Sequence, residues 1–349
     1  MIPRELDICV TNKCNMNCLY CYAAGKNLEK KSLTLGEMKK AVLVYFAAAL
    51  VEKRKIDKIS ISGGEPLTHW PVVADFISWF AKHSPKDVNA EIFTNGTLLD
   101  KDKAKHILDN SFKLRISIDG RKKTHDAIRV SASGKSSFDS FMKNFNSFPL
   151  SIKKHCEAVP IISEKNVADA ADNMRFLMDL GFACVKPSFV LSEMWKEKSF
   201  VILEQQLDLL NKLIKKQKKY YLKLEKVALK NLSAGLKEFS ASNEISIGTD
   251  GYFYPSSLIS ASVAAKSEAF KKKYRVGSID EGIDSEKFGK LRLIAFNDIK
   301  KSRAKLYLGC LLCMHYSSKV KKVDFKKLLL SGERIAEITA KAGLGEVSP

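Results

Sequence analysis

Strand and helix signals alternate through the first half of this chain, and the alternation narrows the fold more than any other feature. Apolar runs of strand length occupy Leu6–Val10, Ile56–Ser62, Ala90–Thr94, Leu114–Ile118, His155–Ile162 and Phe182–Val190. Helical signals separate them. Thr34-Leu35-Gly36-Glu37 has the form of a capping box, opening a helix that runs to about Arg54. Pro71 sits where a helix over Val72–Ala81 can begin. Asp100–Asn110, Phe138–Phe148 and Asn166–Leu180 follow, the last stopped by Gly181. Strands joined by a helical crossover pair in parallel. The six units therefore predict an α/β fold, a partial (β/α)6 TIM-like barrel. In such sheets reactive groups gather at the carboxyl ends of the strands.

Four suggestive loops fall at those ends. Cys14-Asn15-Met16-Asn17-Cys18-Leu19-Tyr20-Cys21 follows the first strand with C-x3-C-x2-C spacing. Asn12, Asn15 and Asn17 favour a loop there over a helix. Three is an odd number, and neighbouring loop cysteines make strained disulfides, so the trio reads as one side of a metal centre. Soft thiolates select iron–sulfur clusters, zinc or copper(I), and all three readings stand on spacing alone. Gly63-Gly64-Glu65-Pro66 closes the second strand. Its glycines permit close backbone approach, and Glu65 or a backbone carbonyl can hold an ammonium, although an isolated GGEP is also an ordinary turn. Asn95-Gly96 and Asp119-Gly120 close the next two strands.

A chain of 349 residues, 45% hydrophobic, can form one large domain with an appendage, or two domains. The formal net charge of +20 suits an anionic partner, whether nucleic acid, an acidic peptide or a membrane surface. A lysine-rich surface with no such partner has the same composition, because the lysines are spread widely. No signal peptide is visible, and no apolar run reaches roughly 18 residues, so neither secretion nor a membrane span is expected. Eight cysteines, three of them clustered, fit a reduced cytoplasmic setting and metal chemistry better than a disulfide scaffold. Cys9, Cys156 and Cys184 lie within strands and read as small core residues.

The composition changes after the sixth strand. Residues 1–192 form the barrel in this reading, 193–243 a lysine-rich helical bridge and 244–349 a small C-terminal α+β extension. The bridge helix, Glu204–Leu232, can set Leu207, Leu210, Ile214, Tyr221 and Leu224 on one apolar stripe. Its lysine face is solvated or, alternatively, binds RNA. Ile245–Pro255 reads as a β-hairpin around Asp250-Gly251. A short strand at Tyr274–Ile279 and a helix near Ser285–Phe296 come next. Cys310, Cys313 and His315 supply at most three ligands to a zinc ion.

The N-terminal motifs together resemble the radical S-adenosylmethionine (SAM) superfamily. The resemblance rests on C-x3-C-x2-C with Tyr20 before its third cysteine, and on GGEP about forty residues later. Thr94-Asn95-Gly96 and Arg115-Ile116-Ser117-Ile118-Asp119-Gly120, followed by His125-Asp126 and Arg129, resemble its peptide- and protein-modifying members, such as anaerobic sulfatase-maturing enzymes. The resemblance implies a 4Fe–4S cluster on Cys14, Cys18 and Cys21, with SAM chelating the open iron. It implies cofactor contacts from Tyr20, Gly63, Gly64, Glu65, Pro66, Asn95, Ser117, Asp119 and Arg129. Ser117 would touch the ribose and Arg129 the carboxylate; the competing readings are a strand hydroxyl and a helix-start salt bridge. His125 is expected to order its loop.

The implied reaction is reductive SAM cleavage to a 5′-deoxyadenosyl radical. That radical then abstracts hydrogen from a peptide or protein side chain, leading to crosslinking, epimerisation or oxidation. An acidic peptide would suit the charge, and an electron donor such as flavodoxin or ferredoxin is implied. The C-terminal region resembles a degenerate SPASM or twitch extension. Ser256 stands where the hairpin motif carries cysteine, and only Cys310 and Cys313 remain downstream, so no auxiliary cluster is expected. The alternatives are radical chemistry on a small molecule or nucleic acid and, in another class, a non-catalytic zinc or RNA-binding protein.

Overall fold

A computed structural model describes residues 2–21, 30–182, 184–190, 194–216, 244–262, 268–291 and 324–342. Ten strands organise the parts that build the site: β1 (Glu5–Thr11), β2 (Lys58–Gly63), β3 (Asn89–Thr94), β4 (Phe112–Ile116), β5 (Cys156–Ala158), β6 (Ile161–Ile162), β7 (Cys184–Val185), β8 (Ser188–Phe189), β9 (Glu244–Ile247) and β10 (Phe253–Tyr254). The main sheet has eight strands in the order β10-β9-β1-β2-β3-β4-β5-β7. Every pairing in it is parallel except β9 with β10.

The expected helices appear between the strands as α1 (Leu35–Val51), α2 (Trp70–His83), α3 (Lys101–Asp109) and α5 (Ser137–Asn146), joined by α4 (Lys122–Ile128), which the sequence did not announce. A short α6 (Leu150–Lys153) precedes α7 (Ala170–Asp179) and α8 (Glu197–Lys216). Thr34 and Glu37 make both bonds of the predicted capping box, and the Asp100 carboxylate caps α3 through the Lys103 N–H. Period-two alternation divides each strand between two environments. Leu6, Ile8, Val10, Ile59, Ile61, Ile92, Leu114 and Ile116 join Met38, Tyr45, Phe76 and Phe80 of the helices in one core. The opposite face carries Asp7, Ser60, Glu91 and Arg115 into a central cavity.

The structure departs from the sequence expectations in further places. The fifth and sixth predicted strands each divide in two, because Pro160 and Pro187 interrupt the run of backbone donors. The second pieces, β6 and β8, leave the main sheet and pair in parallel with each other. Helix α1 stops at Val51, short of Arg54, and Lys53 adopts a left-handed φ of 51°. The segment from Asn166 begins as a 3-10 turn, Val167–Asp169, before α7. The predicted hairpin forms, but its first strand, β9, pairs in parallel with β1, Glu244 opposite Glu5, and continues the barrel sheet.

Helix α8 covers the first part of the segment read as a bridge and begins at Glu197, ahead of the expected Glu204, with Leu207 and Leu210 buried; Tyr221 and Leu224 lie outside the described residues. Helix α8 packs against α7 and against the helix Phe325–Lys341. Cys9 and Cys156 are buried as expected of core thiols, whereas Cys184 is half-buried. Cys310, Cys313 and His315 also lie outside the described residues.

Asp7 is the sharpest cost of putting polar residues inside the sheet. It is buried, and its Oδ2 accepts from Ser62 Oγ at 2.8 Å and Ser246 Oγ at 2.9 Å. Burial, reinforced by the nearby Glu244 charge, pushes its carboxyl up to about 8. A carboxyl raised on folding stabilises the folded state below the ordinary carboxylate range and loses that contribution as pH rises through the raised value. Asp7→Asn should therefore flatten the alkaline side of the stability profile. The expected result is a melting temperature close to wild type near about pH 5 and several degrees higher near about pH 9, measured by thermal denaturation.

Candidate active site

The cysteine loop follows β1 and has little regular structure of its own, so neighbouring strand ends hold it in shape. On one side the Gly64 N–H donates to the Thr11 carbonyl at 2.7 Å, and the Glu65 N–H donates to the Lys13 carbonyl at 2.8 Å. This contact explains the two glycines. A Cβ on Gly63 would lie 2.4 Å from Thr11 O, and one on Gly64 would lie 2.3 Å from Lys13 O. On a second side, Asn95 Nδ2 donates to Asn15 Oδ1 at 2.9 Å, and Asn15 Nδ2 donates to Thr97 Oγ1 at 2.8 Å. On a third, the N–H groups of Asn17 and Leu19 donate to the carbonyls of Val130 and Ile128.

Glu65 joins the first two sides. Its carboxylate is buried and accepts from Leu67 N at 3.0 Å, Thr94 Oγ1 at 2.7 Å and Asn95 N at 2.7 Å. Burial raises its pKa, and those hydrogen bonds oppose the rise. The carboxylate is thus engaged by the protein itself. Pro66 is buried at the start of the 3-10 turn Pro66–His69, which Glu65 caps.

Arg129 and Asp119 form a second buried joint. The guanidinium makes a fork with the carboxylate, Nε to Oδ2 at 3.0 Å and Nη2 to Oδ1 at 3.1 Å. Asp119 Oδ1 also accepts from the Ile161 N–H at 2.8 Å, and Tyr20 Oη donates to Oδ2 at 3.4 Å. The guanidinium lies 5.2 Å from the centre of the Tyr20 ring. Burial alone would lower the Arg129 pKa, but Asp119, Tyr20 and Cys18 outweigh it and hold the group above its ordinary value. Arg129 thus makes a buried salt bridge with Asp119, from the C-terminal end of α4 and not from a helix start, while it still lines the cavity. His125 is buried beside them, and its Nδ1 accepts from the Asp119 N–H at 3.3 Å. Burial and Arg129 lower it to about 4, which makes it a neutral orienting group near neutral pH.

The cavity has a volume of about 510 Å³. Cys14, Cys18, Tyr20 and Cys21 share its lining with Gly63, Gly64, Glu65, Asn95, Ser117 and Arg129. Of the predicted site residues, Pro66 and Asp119 stand behind the lining. Desolvation of the sulfurs pushes the Cys14 thiol up to about 12, although the residue as a whole is exposed, and the half-buried Cys18 thiol up to about 11, and a bound metal would displace both protons. Among the described residues no three His, Cys, Asp or Glu side chains gather as the ligand set of one ion. Three thiols lining one cavity are a donor set that an iron–sulfur cluster accepts.

The sequence reading missed the lower wall. Glu5 meets Lys58 at 2.8 Å, Lys58 meets Glu91 at 3.0 Å, and Glu91 meets Arg115 at 2.9 Å. Arg115 meets Glu157 at 3.3 Å, and Glu157 meets Lys186 at 2.8 Å. Charged residues alternating with Leu or Ile in β1 to β4 were the available signal. Asn15 and Thr97, which tie the cysteine loop to β3, carried no signal beyond loop propensity.

Residues 8–177 match the family model of the radical SAM superfamily. The chain carries a radical SAM domain. Domains of this superfamily use a 4Fe–4S cluster and SAM as cofactors. A cysteine-type anaerobic sulfatase-maturating enzyme from Clostridium novyi (strain NT) is 35% identical over 140 residues, covering 38% of this chain and 37% of the relative. A probable GTP 3′,8-cyclase from Methanococcus aeolicus is 36% identical over 104 residues, covering 28% of this chain and 31% of the relative. The chain thus spans only about a third of the length of these two relatives. The solved structure of native anSMEcpe with bound AdoMet and Cp18Cys peptide shares the fold, with a TM-score of 0.64 and 16% identity over 97% of this chain and 98% of that one.

Removing the Glu65 carboxylate should loosen this radical SAM domain at the cysteine loop. Glu65→Ala leaves two backbone N–H groups and a hydroxyl without their buried acceptor, at about 1–3 kcal/mol for each unsatisfied group. The expected outcome is a loss of about 3 kcal/mol or more in urea unfolding, with faster alkylation of Cys14 and Cys18 by iodoacetamide in the folded protein.

Proposed function

We propose that this protein is a radical SAM enzyme that modifies a peptide or protein. One observation carries the proposal: Cys14, Cys18 and Cys21 face the same cavity as Gly63–Glu65, Asn95, Ser117 and Arg129. Cys14, Cys18 and Cys21 would hold the cluster, and the wall from Gly63 to Arg129 would hold SAM. When bound, the pair supplies reductive cleavage of SAM to a 5′-deoxyadenosyl radical able to take hydrogen from an unactivated carbon.

The chain's own residues supply binding, orientation and exclusion of water. Gly63 and Gly64 offer carbonyls at a strand end, a suitable receptor for an ammonium group. Ser117 lines the cavity half-exposed, so its hydroxyl is available to a sugar. Arg129 spends two of its five N–H donors on Asp119 and keeps the rest for a carboxylate. Met16, Phe93, Val159 and Ile161 give the cavity apolar patches that limit water around a reactive species.

The peptide reading is supported by the sulfatase-maturating relative and by the +20 charge, which suits an acidic partner. The cyclase relative favours a second reading, radical chemistry on a nucleotide or another small molecule. Among the described residues no helix is long and apolar enough to cross a membrane.

Anaerobic reconstitution with iron and sulfide tests the first part. The expected product is brown, carries about four irons from the three-cysteine site, and converts SAM to 5′-deoxyadenosine with dithionite. Cys18→Ala should abolish that turnover. A colourless protein that leaves SAM intact would sink the proposal. Incubation with acidic precursor-like peptides and with GTP, followed by mass spectrometry, separates the two substrate readings.

A further inference from the structure

The lower wall of the cavity is a row of charges on adjacent parallel strands, and its two ends differ. Along β1, β2, β3, β4, β5 and the residue after β7 the order is Glu5, Lys58, Glu91, Arg115, Glu157, Lys186, with signs alternating at every step. Each inner member touches an opposite charge on both sides. Lys186, at one end, touches an opposite charge on one side only. Its Nζ donates to Glu157 Oε2 at 2.8 Å, and that same oxygen is approached by Arg115 Nε at 3.3 Å. Two cations therefore share one carboxylate oxygen at this end.

Lys186 is buried, with 8% of its surface exposed, and it lines the cavity together with Ser188. An ammonium has three donors, and among the described residues one acceptor meets them. A buried ammonium with unused donors is costly unless an acceptor completes it. The other end of the row is occupied by carboxyl groups, with Glu5, Asp7 and Glu244 all lining the cavity. Lys186 is therefore the end of the row that offers a cation to an anionic group entering the cavity.

We propose that Lys186 is a specificity residue, which anchors a carboxylate of the substrate, such as the side chain of an acidic residue, inside the cavity. The proposal deepens the reading of the site as a substrate-modifying centre and rests on it for the word substrate. The binding itself needs no cluster and can be measured without one.

The test uses the full chain, freshly reduced and free of iron, with two probes of equal shape: N-acetyl-L-glutamic acid amide and N-acetyl-L-glutamine amide. Affinities are compared by calorimetry near neutral pH. Wild type should bind the acid at least about tenfold more tightly than its neutral isostere. A smaller preference, or no binding of either probe, overturns the assignment. Lys186→Met should abolish the preference and Lys186→Arg should retain it; a folded Met variant that still prefers the acid also overturns it. If the Met variant does not fold, Lys186→Gln takes its place. Cys18→Ala should keep the preference while losing SAM cleavage, so failure of the radical SAM reading and failure of the Lys186 assignment are told apart.

Discussion

The whole site depends on the hydrogen bonds that clamp the cysteine loop between two strand ends and the C-terminal end of α4. A loop of this length pays about 1–2 kcal/mol per residue in backbone entropy when it is fixed, and few of its own groups bond to one another. The compensation comes from outside the loop. Glu65 is central because its two carboxylate oxygens join the second strand end to the third. The backbone of the same loop grips Thr11 and Lys13, and Asn95 reaches Asn15. Local order in the loop is thereby coupled to the sheet register: displacing β2 against β3 would break the Glu65 bonds and release the cysteines together.

This coupling explains which parts of the site were legible in the sequence. The motifs at the strand ends were legible because each combines a residue type with a conformation that only certain neighbours permit. Gly63 and Gly64 are the clearest case, since any Cβ there would collide with the cysteine loop. What those residues do was less legible. Glu65 was read as one of two groups able to hold an ammonium; it accepts three hydrogen bonds from its own fold and still lines the cavity. Arg129 looked like a carboxylate receptor and proved to hold Asp119 as well. A sequence displays the chemical capacity of a side chain; its remaining capacity depends on neighbours brought in from residues far along the chain.

The fold shows the same division. Alternation gave the parallel sheet and most helices, because period two and period 3.6 are set locally. The breaks at Pro160 and Pro187 were also local, but apolar residues resume beyond each proline, at Ile161 and at Phe189, and that masked them. The pairing of β9 with β1 joins Glu244 to Glu5 across most of the chain, and nothing in either segment names its partner. The charged wall has the same origin. Each strand, or the residue just after it, contributes one charge to the row, and only the sheet order brings those charges together.

The cavity and the surface answer different electrostatic demands. The surface excess of lysine acts at long range and is screened within about 10 Å at moderate salt, so it can gather an anionic partner without choosing among anions. Choice falls to the cavity, where few charges remain unmatched. Of its acidic residues, Glu91 is committed to Lys58 and Arg115, and its pKa falls as a result. Asp7 goes the other way. Burial and Glu244 raise it to about 8, so near neutral pH it carries a proton and no charge. That proton removes a repulsion an entering carboxylate would otherwise meet from the far side of the cavity. Selection of an anion therefore falls to Lys186, the end of the row that meets an opposite charge on one side only.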